Sequence, residues 1–499
     1  MDTTTSDSAP TSTASTTKTA LPAPLTLPVV LVGVVLVAMS ISGTAVALPN
    51  IGRDLDTSGS ALHWVVAGYN LAFAAMTLVA GSTADRVGRR RVFIVAALIF
   101  AAGFLATALS PSIVIADIAR IVSGAGGAGI MAAGGALLAS SYDGAARNRA
   151  FALMGTMAGI GIAVGPTMSG LLISATGWRG SFAVFTVVGL LIALGATRAR
   201  ESRATDTRAT DWVGSVLFIA ALTLLMFALL EASALGWTHP IIVIAAIAGL
   251  VALMLFSAVQ RRSTSPVLAP SLVANRGFTG WSLATLTTSI GFLGVLVFLP
   301  TYLQAAAGLS PAVAGVTMLL LTAPVLVMPM IAVTLVNRGA PAHLLILIAL
   351  ALVVVGNLWL MTLSAEHTVA LVAGPLLMIG IGMGASFGIT DGQAMSLVPA
   401  DSVGMAAGFL NTLRGAAEAL VIAAFSASLI GLLTSRLGDS TDAAAVSAGD
   451  LGSDPTAELD AFTWSWQMTQ LGVGALCLVL SIIVARLIFS RASASQHAR

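Results

Sequence analysis

Long apolar runs separated by short polar breaks dominate the chain. A helix that crosses a bilayer needs about 20 mainly apolar residues. Fourteen stretches answer to that: 27–48, 61–81, 92–110, 112–138, 151–174, 181–197, 212–232, 239–259, 279–303, 311–335, 342–364, 368–394, 403–433 and 465–489. The pattern predicts an all-α integral membrane protein with 14 transmembrane helices and no room for a soluble domain. The longest polar stretches are the Thr/Ser-rich tail 1–20 and the segment 434–464. The tail has one positive charge and no cleavage-site pattern, so residues 1–26 read as a disordered tail rather than a signal peptide.

Composition narrows the classes. Of 499 residues, 57% are hydrophobic and 9% are charged, against about 25% charged in ordinary soluble domains. A soluble enzyme, a nucleic-acid binder and a disordered scaffold are excluded; the bilayer is the first partner. Cys477 is the one cysteine, so neither an intrachain disulfide nor a cysteine metal cluster is expected. The one lysine is Lys18 in the tail, and a Walker A loop needs a lysine, so ATP does not drive this chain directly. No cofactor, metal or enzymatic activity is expected.

Charge then sets orientation. With the N-terminus inside, eighteen of the 23 basic residues fall on cytoplasmic segments, Arg53, Arg179 and Arg436 fall outside, and Arg120 and Arg414 lie within spans. Both termini are therefore expected in the cytoplasm, and the acidic segment 434–464 outside. Tryptophans cluster near span ends, where indole favours the interface.

Charges inside spans carry the strongest functional signal, because each costs at least about 2.5–3.5 kcal/mol at mid-membrane. Asp117, Arg120, Asp391, Arg414 and Glu418 are such residues. Asp117 and Arg120 share one helix face, as do Arg414 and Glu418. Each pair reads equally well as a self-neutralised structural pair or as a proton-coupling site. Asp391 lies nearer the cytoplasmic end and reads as a solvated interface acid. Gly124-Ala-Gly-Gly-Ala-Gly129 satisfies the dinucleotide fingerprint but lies inside a span with no preceding strand, so close helix packing is the reading kept.

Between spans 2 and 3 stands Gly81-Ser-Thr-Ala-Asp85-Arg86-Val-Gly88-Arg89-Arg90-Arg91. Asp85 at a helix end beside arginines suits ion pairing or capping. The whole run closely resembles the loop motif of the major facilitator superfamily. Arg120-Ile-Val-Ser-Gly124 is similar to the family's R-x-x-Q-G. Gly159-Ile-Gly161-Ile-Ala-Val-Gly165-Pro166-Thr-Met-Ser-Gly170 resembles the antiporter motif of its drug exporters. Ala47-Leu48-Pro49, Phe298–Gln304 and Gly408–Arg414 resemble the fourteen-helix drug/proton antiporter branch.

The resemblance implies two six-helix halves, 27–197 and 279–489, which alternate access to a midplane site. Between them lies a linker, 198–278, with two additional transmembrane helices; a cytoplasmic tail, 490–499, closes the chain. It further implies a gating role for Gly81, Asp85, Arg86, Gly88, Arg89 and Arg90. Span 5, through Gly159, Gly161, Gly165, Pro166 and Gly170, is expected to seal the two halves together. Relatives of this branch carry an aspartate in span 1 seven residues before Ala-Leu-Pro; here that residue is Ser40, which cannot hold a proton near neutral pH.

The chain is therefore expected to be a plasma-membrane exporter of small amphipathic or cationic molecules. It is expected to work as a monomer in exchange for protons, with Asp117 as leading carrier and Arg120 as modulator. The alternative, opened by Ser40, is a facilitator or otherwise-coupled exporter of one specific metabolite. A non-transporting sensor is disfavoured for want of an appended soluble domain. Ser40, Thr44, Asn70 and Asn411 are candidate pocket residues.

Overall fold

A computed structural model of the chain describes residues 25–142, 144–203, 211–263, 274–364, 368–397, 403–452 and 454–496, and among these it contains helices and no strand. Helix α1 (Thr26–Gly43) tightens into a 3-10 turn at Thr44–Ala47 and continues as α2 (Leu48–Asp54), with Pro49 in the first turn, where no backbone donor is needed. Then come α3 (Gly59–Val87), α4 (Arg89–Ala108), α5 (Ile113–Ser141) and α6 (Gly144–Ala196). Helices α7 (Trp212–Leu235) and α8 (Pro240–Arg262) form a hairpin. The C-terminal group is α9 (Arg276–Ala306), α10 (Pro311–Thr317), α11 (Leu319–Asn337), α12 (Ala342–Leu360), α13 (Thr368–Ser396), α14 (Val403–Leu437), α15 (Ser440–Ser447) and α16 (Pro455–Gln496).

Twelve of these helices are long and apolar enough to span a membrane, or thirteen when α3, bent by 46° between Thr77 and Val79, counts as one span. The expected fourteen differ from this at α6, which runs through both 151–174 and 181–197. A straight helix of that length would extend about 80 Å, well over twice the hydrocarbon core. Gly177, at φ 71° and ψ 172°, breaks it. The break is tied down on the same side by Asp54, which accepts from Trp178 Nε1 at 3.1 Å and pairs with Arg179.

Packing follows two groups. Helices α1, α4, α5 and α6 pack on one another with α3 on α5; α9, α11, α12, α13 and α16 form the second cluster. The α7–α8 hairpin attaches through α7, which packs on both α3 and α14. At its base the Asp211 side chain caps α7 through Gly214 N–H at 2.8 Å and accepts from Gln260 of α8 at 2.7 Å. Helix α8 presents Ile244, Ile247, Val251 and Met254 to its surroundings, as a lipid-facing helix does.

Small residues set the close crossings. A Cβ on Gly124 would lie 3.0 Å from Tyr69 Cα, and one on Gly126 2.7 Å from Phe100 Cα. The dinucleotide-like run on α5 is thus the seat of α3 and α4. The acidic segment 434–464, expected as a loop, is largely folded: α14 extends to Leu437, α16 begins at Pro455, and α15 between them buries Ala443 and Val446.

Candidate functional site: two buried arginines and an unpaired acid

Arg120 on α5 is fully buried. Its Nε donates to the Val65 carbonyl at 3.0 Å, Nη1 to Ser40 Oγ at 3.3 Å and Nη2 to Thr44 Oγ1 at 3.1 Å. The 3-10 turn after α1 brings Thr44 into place, and the Thr44 hydroxyl donates to the Ser40 carbonyl at 2.7 Å. The guanidinium lies 4.3 Å from the Tyr69 ring centroid and 5.1 Å from that of Phe104. Every one of these partners is neutral, so the cation is held by dipoles and ring faces. Ser40 and Thr44, read from the sequence as pocket residues, are arginine ligands. Asn70 is buried on α3, with Oδ1 lacking a partner among the described residues. The side chain of Asn411 lies outside the described residues.

Asp117 shares a helix face with Arg120 but forms no ion pair with it among those described. Arg120 turns toward α1 and α3, and Asp117 Oδ1 is buried without a hydrogen-bond partner among the described residues. Glu231, on α7, accepts from Trp64 Nε1 at 2.9 Å and from Ser60 Oγ at 3.2 Å. Hydropathy does not single out this acid, because it stands at the very end of an apolar run. Its position one residue inside the stretch 212–232 is the signal that could have found it.

The C-terminal charges regroup. Arg414 on α14 was expected to pair with Glu418, one turn along, and Asp391 to be a solvated acid. Arg414 Nη2 instead bonds Asp391 Oδ1 of α13 at 2.5 Å and stacks over Phe387, 4.5 Å from its centroid, while the Asp391 side chain stays 44% exposed. Glu418 Oε2 is left buried without a hydrogen-bond partner among the described residues.

The two helix groups touch at the end that carries α15. Thr167 Oγ1 donates to the Gly315 carbonyl at 2.9 Å, and Thr322 Oγ1 to the Ala163 carbonyl at 2.7 Å. A Cβ on Gly170 would lie 3.2 Å from Ala312 Cα, and one on Gly315 3.0 Å from the Pro166 carbonyl carbon. His63, buried on α3, hydrogen-bonds Ser426 of α14 and meets Phe298 edge-on, with centroids 5.0 Å apart. Its place near a span end gives no sign of this in the sequence. Toward the arginine-rich end, Cβ atoms on Gly155 and Gly392 would meet nothing within 4 Å.

Span 5 was expected to seal the two halves, and the structure divides that task. A Cβ on Gly161 would lie 2.6 Å from Ala38 Cβ and one on Gly165 3.2 Å from Met39 Cα, both on α1 of the same group. Gly170 and Pro166 face the C-terminal group, while a Cβ on Gly159 would only reach Leu326 at 3.8 Å.

At the loop motif Asp85 caps no neighbouring helix among the described residues; it accepts from Arg89 Nε at 3.0 Å and Nη2 at 2.8 Å. Gly88, at φ 130°, makes the turn between α3 and α4. Glu201, outside any motif, accepts from the Arg90 backbone N–H at 3.0 Å and pairs with Arg90 and Arg91. Arg86 is exposed, and a Cβ on Gly81 would make ordinary contact with Ala132 at 3.8 Å.

A separate apolar cavity of about 1240 Å³ lies between the α7–α8 hairpin and helices α14 and α16, lined by residues such as Leu225, Ile247, Phe425 and Met468. Among the described residues no group of three His, Cys, Asp or Glu side chains is placed to hold a metal ion.

A bundle of membrane-length helices, with charges buried inside it and its two groups closed against each other at one end, has the architecture of a multi-pass membrane transporter. The sequence profile of the Major Facilitator Superfamily matches residues 30–230 and 202–422, and the chain belongs to that family. Multidrug resistance protein Stp of Mycobacterium tuberculosis is 32% identical over 397 residues, 79% of this chain and 73% of the relative. Puromycin resistance protein pur8 of Streptomyces alboniger is 30% identical over 478 residues, covering 94% and 92%. The multidrug efflux pump LfrA of Mycolicibacterium smegmatis is 32% identical over 406 residues, covering 80% and 79%. In fold, the chain is similar to the inward-facing, unoccupied structure of a bacterial homolog of the human lysosomal transporter Spinster, with a TM-score of 0.66 at 16% identity over 93% of this chain and 97% of the other.

Proposed function

We propose that the chain is a secondary active exporter of small amphipathic or cationic molecules, a multidrug or antibiotic efflux protein that exchanges them for protons by alternating access. The observation that carries this reading is the set of relatives named for drug and antibiotic resistance, aligned over most of their length. Taking α3 as one span and dividing α6 at Gly177 gives fourteen spans, with six-helix halves at 27–197 and 279–489 and α7–α8 inserted within 198–278. The arginine-rich end then lies in the cytoplasm with both termini, in the plasma membrane, and the chain works as a monomer. In that orientation the closed contacts through Gly170, Pro166 and Gly315 are extracellular and the conformation is inward-facing.

Protons enter the reading through Asp117. An acid buried in the membrane with an unpartnered oxygen has a use for a proton, and protonation removes the cost of its charge.

Ser40 favours a second reading. It stands where the resemblance to drug/proton antiporters leads one to expect an acid and serves Arg120 as a neutral ligand, which suits a facilitator or an otherwise-coupled exporter of one metabolite. The test is export of ethidium, tetraphenylphosphonium and puromycin from cells stripped of their own pumps, with and without a protonophore. Loss of export on adding the protonophore supports exchange for protons. Export that continues down the concentration gradient unchanged supports the facilitator.

A further inference from the structure

We propose that the cavity between the inserted hairpin and the C-terminal group is a phospholipid site: hydrocarbon chains fill it, and Arg436 at its rim takes the phosphate.

The way the hairpin docks creates the space. Helix α7 packs on α3 and α14, but α8 packs extensively on α7 alone, so its inner face stands off from α14 and α16. Between them lies the cavity of about 1240 Å³, to which α1–α6 contribute no lining residue among those described. It is therefore separate from the interior between the two helix groups. Its walls are hydrocarbon. The two hydroxyls on the lining are turned back onto their own helices: Ser428 donates to the Ala424 carbonyl and Thr469 to the Ser465 carbonyl, both at 2.8 Å. Such walls offer water no partners, and the volume equals that of about 40 waters at about 30 Å³ each. Voids of that size do not stay empty in close-packed protein. At the depth of a bilayer, acyl chains are the apolar material that fills them.

The rim supplies a charge. On α14, Ala424, Ser428 and Leu432 line the cavity in steps of four residues, and the next residue of that row is Arg436. On α16, Leu476, Gly472 and Met468 line it in the same way, and the next residue toward the same end is Trp464. The two rows meet there. The Arg436 guanidinium lies 4.1 Å from the Trp464 ring centroid. Arg436 is exposed and forms no ion pair among the described residues. Asp439, three residues on, is engaged in capping α15 through the Thr441 N–H at 2.6 Å. A guanidinium resting on an indole at the head of an apolar cavity suits a phosphate joined to acyl chains, with the indole at the interface. The same charge disfavours a cationic molecule in that place.

The test is native mass spectrometry of the full chain purified with palmitoyl-oleoyl-phosphatidylglycerol, which counts the lipid that stays bound. A Cβ on Gly431 or on Gly472 would meet nothing within 4 Å, so leucines there grow into the cavity and not into protein. The wild type is expected to retain a bound lipid. The double variant Gly431→Leu/Gly472→Leu should retain about tenfold less, with wild-type thermal stability. Either single substitution decides in its place should the double variant fail to insert. Arg436→Gln should retain about three- to fivefold less phosphatidylglycerol. It should bind dioleoylglycerol, which has the chains without the phosphate, as the wild type does. Wild-type lipid retention by the leucine variants overturns the inference. Wild-type retention of phosphatidylglycerol by Arg436→Gln overturns the choice of a phospholipid. A dimer in place of bound lipid, dissociated by the leucines, overturns it in favour of a second copy of the chain. Because the readout is binding, its outcome does not depend on whether the chain exports drugs or couples to protons.

Discussion

Arg120, fully buried, and Arg414, with 11% of its side chain exposed, both lie against aromatic rings, yet they are balanced in different ways. Arg414 is held by the Asp391 carboxylate and the Phe387 ring. Arg120 is held by three neutral oxygens and the faces of Tyr69 and Phe104. An ion pair fixes its own charge balance through a conformational cycle. Neutral ligands leave the balance open, so the electrostatics of the N-terminal group depend on what Asp117 carries and on what enters the site. The C-terminal cation is thus paired with a carboxylate, and the N-terminal one is held by neutral groups.

The largest effect is expected from removing the open cation. Arg120→Met deprives Ser40 and Thr44 of a donor and takes the charge from the site. Ethidium export should fall about 100-fold, equivalent to roughly 2.7 kcal/mol at the barrier, while membrane insertion persists. Arg120→Lys should recover little, because one ammonium cannot reach three separated acceptors in the geometry of a fork. Full activity in the lysine variant would show that the charge alone matters.

The next experiment makes the two arginines alike. Ser40→Asp places a carboxylate against Arg120, as Asp391 stands against Arg414. In an Asp117→Asn background, Ser40→Asp should return proton-driven export. Failure to rescue, with the double variant folded, would separate Arg120 from the proton step.

Breaking the balanced pair should cost less. Asp391→Asn leaves Arg414 without its carboxylate, but the Asp391 side chain is 44% exposed. A loss of about 1 kcal/mol in stability is expected, read as a melting temperature a few degrees lower, with export reduced by no more than about fivefold. The smallest effect is expected from Glu418→Gln: its Oε2 is also buried without a hydrogen-bond partner among the described residues, but Arg414 stands one turn away on the same helix, so the pH profile should move less than with Asp117→Asn.

These contrasts were only partly legible in the sequence. The spans, the loop motif and the in-membrane charges Asp117, Arg120 and Arg414 follow from hydropathy and from the cost of burying charge, both local properties of the chain. Partners across helices do not. The pairing of Arg414 with Asp391 rather than Glu418, the ligation of Arg120 by Ser40 and Thr44, and the hold of Trp64 on Glu231 all depend on which helix faces which. Helical spacing alone favours neighbours on the same helix. Gly161 and Gly165 teach the same lesson: their spacing signals a close crossing but does not say that α1, and not the opposite group, is the helix that crosses.

The most direct test of the account uses vesicles with an acidified lumen, a lumenal pH dye and the protein inserted with its cytoplasmic side outward. Adding ethidium outside should alkalinise the lumen in the wild type, as substrate enters and protons leave. With Asp117→Asn the lumen should stay acid while downhill ethidium exchange continues. Equal alkalinisation by the wild type and Asp117→Asn would contradict the account and return Asp117 to a structural role.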